Sequence, residues 1–152
     1  MDLQVLILYL CGDASDPASD ILANIWCIFL QTSPNESVAL RMVYDESSTG
    51  ILTLESKDDV YPDEVLRVVQ FRTLGQPTVR QMIRVLLERG RERYRLTQEG
   101  RGQRHWYARI LADWEEEELL TQSCAAVANE NLQSCWYEGG SHLFLMIAGV
   151  FY

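Results

Sequence analysis

The residues with the most evident chemical potential lie in one arginine-rich stretch, RGRERYRLTQEGRGQRHW, at positions 89–106. Its Gly100–Gln103 part precedes a predicted helix, and the free backbone N–H groups at a helix start favour anions. The stretch lacks the Gly-Lys-Ser/Thr ending of a P-loop. Two interpretations stay open: the stretch binds a phosphate, a carboxylate or an acidic partner, or its arginines pair with acids elsewhere in the chain.

Single residues around this stretch supply candidate catalytic and binding groups. Gln103 and Arg104 can donate hydrogen bonds near the helix start, and His105 or Tyr44 can act as an acid or base. Candidate substrate-binding residues are Asn24, Trp26, Arg41 and Trp106. No Asp or Cys stands at a recognisable offset from His105 or His142, so the sequence predicts no catalytic triad.

Charge is distributed unevenly along this chain of 152 residues, whose formal net charge is −9. Residues 1–66 hold twelve acids and two bases, residues 67–109 hold eleven arginines and three glutamates, and residues 110–152 hold seven acids and no base. The acidic total argues against nucleic-acid binding. With 47% hydrophobic residues and no linker, we expect one domain over 1–152 with a polarised surface.

The apolar and cysteine patterns exclude several other classes. The run at 3–10 follows no basic region and is far shorter than the roughly 20 residues that span a bilayer. The four cysteines form no Cys-x-x-Cys pair and have no histidine cluster beside them, so we expect reduced thiols and neither a metal nor a cofactor. These features predict a cytoplasmic protein without membrane contact.

The first half of the sequence favours strands. Residues 3–10 are apolar, 11–20 have loop composition, and 23–30 and 37–44 form a predicted antiparallel hairpin across the turn at 33–36. In 37–44, alternation places Val38, Leu40, Met42 and Tyr44 on one face, with Arg41 on the other. Further strands are predicted at 49–54 and 65–71.

The second half favours helices. Thr78 and Gln81 form a capping-box pattern before an apolar helical stripe that ends at Gly90. A second helix is predicted from Gln103 to about Leu119, and a third within 121–136. The apolar ending, 142–152, is expected to insert as a strand into the sheet. The prediction is therefore an α+β fold, with an antiparallel sheet of about five strands and two or three helices.

Three segments together resemble a family of small uncharacterised fungal domains, over roughly residues 20–152. The segments are NIWCIFL followed by SVALRM, then GRGQRHW, then GVFY. Those domains read Asn-His-Trp in a strand, Gly-x-Gly-Cys-Arg-x-Trp at a later segment, and Gly-x-Phe-Tyr at the end. A strand histidine and a helix-start cysteine resemble papain-like and lecithin–retinol-acyltransferase-like thiol enzymes, in which the helix start lowers the cysteine pKa.

This chain departs from the family pattern at both reactive positions, while Asn24, Trp26, Arg104 and Trp106 match it. Ile25 stands at the histidine position and Gln103 at the cysteine position. Since neither can perform thiol chemistry, the resemblance implies a member that has lost that reaction.

Three functions follow as expectations. The first is a small-molecule cyclase, isomerase or lyase of fungal natural-product biosynthesis that uses no covalent nucleophile, with Trp26 and Trp106 as apolar walls. The second is a non-catalytic binding or interaction protein, in which the acidic ends and the arginine block could hold a homodimer together. The third is a thiol hydrolase or transferase that uses Cys27 or another, unrecognised set of residues.

Overall fold

The structure, a computed structural model, describes residues 3–13 and 24–152. Five strands form one antiparallel sheet in the order β4-β3-β2-β1-β5. Their bounds are β1 Ile7–Asp13, β2 Ile25–Ser33, β3 Glu36–Tyr44, β4 Gly50–Lys57 and β5 Arg67–Arg72. Three helices follow, α1 Val79–Glu88, α2 Gln103–Glu116 and α3 Cys124–Leu132. The predicted α+β class is confirmed.

Two short ladders complete the described part of the chain. β6, Tyr94–Arg95, pairs with β9, Val150–Phe151. β7, Ser134–Tyr137, and β8, Gly140–Leu143, form a hairpin directly after α3. None of the helices in the described ranges is both long and apolar enough to cross a membrane.

Alternation along the strands creates two unequal apolar faces. Val38, Leu40 and Met42 are buried in the main core, and Tyr44 packs against it, as the sequence pattern predicts. All three helices contribute to this core, with Trp106, Ile110 and Trp114 from α2 completely buried. A smaller cluster on the opposite face contains Cys11, Cys27, Phe29 and Ala39. The sheet therefore has one face under the helices and another under loop side chains.

Local signals explain where α1 begins and where α2 ends. The Thr78 hydroxyl accepts from the Gln81 N–H at 3.1 Å, and the Gln81 side chain accepts from the Thr78 N–H at 2.8 Å, so the capping box is confirmed. α2 starts at Gln103 as predicted but ends at Glu116 rather than near Leu119. Glu118 has a positive φ of 60°, which a continuing helix cannot contain.

Two predictions, the loop at 11–20 and the inserted strand at 142–152, are wrong within the described residues. Cys11–Asp13, assigned to a loop, continues β1 because it pairs with both β2 and β5; the rest of that predicted loop lies outside the described residues. The segment 142–152 does not join the main sheet. Residues of β8 and β9 pair with short neighbours instead, and 144–149 has no regular structure.

The sheet opens between β2 and β3 at one end. Their pairing runs from Ile28–Leu40 to Ser33–Glu36. Beyond it, 25–27 pairs with β1, whereas 41–44 pairs with β4. We call these two segments the β2–β3 fork. The start of α2 lies against the fork, because the Arg104 guanidinium lies 5.6 Å from the Trp26 ring centre.

Candidate functional site

Five arginines in and just after the arginine-rich stretch form two groups with different partners. Arg89, Arg91 and Arg109 surround the completely buried carboxylate of Asp113, at N–O distances of 2.8, 2.6 and 3.0 Å. Glu116 also pairs with Arg89 and Arg109, and Glu117 pairs with Arg89. For these arginines, the interpretation as intramolecular pairing is confirmed.

Arg104 belongs to the second group and is buried without a carboxylate partner among the described residues. Its side chain is only 5% exposed, and Nη1 donates to the carbonyls of Leu132 at 2.7 Å and Ser134 at 2.6 Å. Nη2 has no hydrogen-bond partner in the described part of the chain. Burial lowers the pKa of Arg104 to about 10, although the nearby Cys135 thiol opposes this, so the guanidinium stays charged at neutral pH.

Aromatic rings enclose the Arg104 guanidinium. The Phe144 ring centre lies 3.8 Å from Cζ, and the Trp26 ring centre lies 5.6 Å from it. Arg101, near the same Phe144 ring at 5.8 Å, donates to the Leu145 carbonyl at 3.1 Å. Arg101 also has no carboxylate partner among the described residues. The start of α2 therefore carries two cations on an aromatic platform.

Trp26 presents a second unpartnered donor beside Arg104. The side chain is 4% exposed, and its Nε1 has no hydrogen-bond partner in the described ranges. A Cβ on Gly12 would lie 3.0–3.1 Å from the Trp26 ring, so a glycine in β1 lets the indole lie close to the strand. Trp26 Nε1 and Arg104 Nη2 are thus two buried donors on neighbouring side chains.

Tyr44 and Arg41 lie on the other branch of the fork. The Tyr44 hydroxyl is buried and has no partner among the described residues, and burial raises its pKa, with Tyr94 adding to the shift. Arg41 is half-buried and faces the Cys27 thiol. Tyr107 of α2 is buried near this branch, and burial raises its pKa too, with Cys27 and Tyr44 close by.

His105 points away from Arg104 into a different aromatic group. Its ring centre lies 6.5 Å from that of Tyr94 and 6.4 Å from that of Phe151. Burial lowers the His105 pKa, and Arg109 and Arg91 lower it further. The imidazole is therefore neutral at pH 7.

The remaining predicted site residues have structural contacts. Gln103 is exposed, and its side chain donates to the Gly100 carbonyl at 3.1 Å. Asn24 joins the start of β2 to β7. Its side-chain amide donates to the Trp136 carbonyl at 2.8 Å and accepts from the Trp136 N–H at 2.6 Å. Trp106 is completely buried and donates to the Arg91 carbonyl at 2.8 Å, so it belongs to the core and is not a wall of the site.

Three residues of this region were missed at the sequence level. Phe144 covers Arg104. The Tyr94 hydroxyl accepts from the Gly149 N–H and donates to the Gly102 carbonyl, both at 2.7 Å. The Arg67 guanidinium lies 4.3 Å from the Trp136 ring centre. Gly102 precedes α2 with a φ of 125°, and a Cβ there would come within 3.1 Å of the Tyr94 hydroxyl. Gly102 was therefore the residue in the sequence that could have indicated a close approach by another segment of the chain.

Two other features of the surface and core are distinct from this region. An open cleft of about 810 Å³ lies at the far end of α2, and Glu115, Glu116 and Glu118 are among its lining residues, so its charge suits a cation. Cys27 is buried, and burial raises its pKa to about 11 despite the nearby Arg41. Among the described residues, no group of three His, Cys, Asp or Glu side chains could hold a metal ion.

The fold and the region around Arg104 define an α+β domain in which, among the described residues, two buried donors lack partners where β2 meets the start of α2. The chain belongs to the family of the domain of unknown function DUF7770, which matches residues 8–152. No curated protein matches the chain, and no solved structure does.

Proposed function

We propose that this chain binds a small molecule through its carbonyl or carboxylate oxygens at Trp26 and Arg104, and converts it without a covalent nucleophile. The reaction class is that of a cyclase, isomerase or lyase in fungal natural-product biosynthesis, which the resemblance of the sequence to small fungal domains supports. The observation that carries the proposal is a pair of buried donors, Trp26 Nε1 and Arg104 Nη2, that have no partner within residues 3–13 and 24–152. A buried donor left unpaired costs about 1–3 kcal/mol, which a bound acceptor recovers.

The proposed chemistry combines the two donors with the candidate acid and base. A ligand oxygen that accepts from both donors has its carbonyl polarised, and negative charge that develops on it is stabilised. The raised pKa keeps Tyr44 protonated, so that its phenol can donate a proton, and the lowered pKa keeps His105 neutral, so that it can accept one. Ile25 and Gln103 stand where the resemblance implies a reactive histidine and cysteine, and neither side chain can supply a thiol or its base.

A non-catalytic binding protein is the second candidate. His105 packs against Tyr94 and Phe151 rather than beside Arg104, which separates the candidate base from the two donors. In that case the site holds a ligand and releases it unchanged.

A comparison of metabolites tests the enzymatic proposal. The source organism without this gene should accumulate a precursor and lose a product, and the wild-type gene should restore the product. Trp26→Phe keeps an aromatic ring but removes the indole N–H, so it should restore little product while keeping the thermal unfolding temperature near that of wild type. Unchanged metabolites in the deletion strain would contradict an enzymatic role and favour the binding protein.

A further inference from the structure

Exposed apolar side chains flank the residue that covers Arg104, and they narrow the class of ligand. Leu143 is 83% exposed and Leu145 is 72% exposed, on either side of Phe144 in the chain. Two large apolar side chains in water therefore stand next to the aromatic ring that covers the guanidinium.

Charge at the same place favours an anion. Arg101 and Arg104 both approach the Phe144 ring, and neither pairs with a carboxylate among the described residues. Arg89, Arg91 and Arg109 are different, because Asp113, Glu116 and Glu117 neutralise them. In a chain of net charge −9, the start of α2 is thus a local cationic site with an apolar border.

We infer that this site takes an amphipathic monocarboxylate, which rests on the function proposed above and names its substrate class. The carboxylate accepts from Trp26 Nε1 and Arg104 Nη2, with Arg101 at the entrance. The apolar body lies against Leu143 and Leu145. A carboxylate matches the arrangement because it offers several acceptor lone pairs to two donors and neutralises a buried cation.

Four probes separate the contribution of the carboxylate from that of the apolar chain. Octanoate has both parts, acetate lacks the body, octyltrimethylammonium carries the opposite charge, and 2-octanone has a neutral oxygen. Binding is measured from the indole N–H resonance of Trp26 in a ¹⁵N–¹H spectrum, which the Trp26→Phe spectrum identifies. We expect saturable shifts with octanoate and at least tenfold weaker binding of the other three probes.

Matched variants locate the two contacts. Arg101→Gln should weaken octanoate about tenfold, the size of one charge-assisted interaction, whereas Arg84→Gln on the exposed side of α1 should have no effect. The double variant Leu143→Ser and Leu145→Ser should weaken octanoate about tenfold and leave acetate unchanged. Leu87→Ser is its control, because Leu87 is an exposed leucine of α1.

The outcomes distinguish this inference from the proposed function. Equal binding of octanoate and octyltrimethylammonium, or of octanoate and acetate, would overturn the inference. If 2-octanone shifts the Trp26 resonance and octanoate does not, the carboxylate is wrong and the oxygen-ligand proposal stands. If none of the four probes shifts that resonance, both proposals fail.

Discussion

At the scale of single residues, Arg104 performs two tasks with one guanidinium. Nη1 donates to the Leu132 and Ser134 carbonyls, where α3 ends and β7 begins, and Nη2 faces the proposed ligand. The carbonyls near a helix end need donors from outside the helix. Arg104 therefore couples the geometry of the site to the end of α3.

Replacement of Arg104 by methionine should destabilise the fold. The change leaves two carbonyl acceptors without their donor, and we expect the free energy of unfolding in urea to fall by about 2–5 kcal/mol. Arg104→Lys keeps the charge but lacks the planar fork, so it should recover part of that loss. Arg101→Gln, at a less buried arginine, should change stability by less than about 1 kcal/mol. Wild-type stability of Arg104→Met would contradict the structural role.

His105 should make stability depend on pH below neutrality. Its pKa in the folded chain lies below the ordinary value, so the unfolded chain binds the proton more readily. The free energy of unfolding should therefore fall as the pH drops through about 6.5 towards the folded pKa. The measurement compares urea unfolding at several pH values for wild type and His105→Gln. The free energy of unfolding should depend less steeply on pH in the variant.

At the scale of elements, the three arginines around Asp113 join α1 to α2. Arg89 follows α1, Arg91 follows the turn, and Arg109 lies one turn before Asp113 in α2. Four glutamates at a helix end oppose its dipole. Pairing with Arg89 and Arg109 lowers the Glu116 pKa, which shows how this helix tolerates them.

Asp113→Asn should destabilise the protein strongly. Without the central negative charge, three neighbouring guanidinium groups share only surface glutamates, and loss of one partner in a buried ion pair costs about 3–5 kcal/mol. Glu118→Gln, in the same acidic run but exposed, should stay within about 0.5 kcal/mol of wild type. Urea unfolding measures both, and equal effects in the two variants would contradict the assignment of Asp113 as the centre of the network.

The elements also differ in how well the sequence predicts them. α1 was predictable because the capping box and apolar stripe are local signals. The segment 142–152 was not, because an apolar run does not indicate its partner. Phe144 packs on Arg104, and Gly149 packs on Tyr94, and both contacts join residues far apart in the sequence.

At the scale of the whole molecule, the topology determines which predicted site residues meet. Trp26 and Arg104 are in contact only because the start of β2 lies beside the start of α2. The residue types of Trp26 and Arg104 made both of them candidates. Whether their donor atoms are buried depends on the tertiary structure, and the sequence does not predict burial atom by atom. Trp106 and Asn24 matched the same family pattern and have structural contacts instead. The four residues that carried the sequence resemblance thus divide into two with unpartnered donors among the described residues and two with structural contacts.

The same topology predicts the result of introducing the histidine and cysteine that the sequence resemblance implies. Ile25 and Gln103 precede Trp26 and Arg104, and both are exposed, so Ile25→His with Gln103→Cys should fold. The new thiol would lie at the start of α2, near Arg101 and Arg104, and a helix start and adjacent cations lower a thiol pKa. We expect its pKa to fall about 1–2 units below the ordinary value near 8.5.

Alkylation rates against pH measure that pKa, after the rates of the four buried native cysteines are subtracted with wild type. Gln103→Cys alone separates the effect of the helix and the arginines from that of the new histidine. Gln98→Cys, in the exposed loop before α2, should titrate near 8.5. If the double variant also titrates near 8.5, the start of α2 does not activate a thiol, and the likeness to thiol enzymes has no physical basis in this fold.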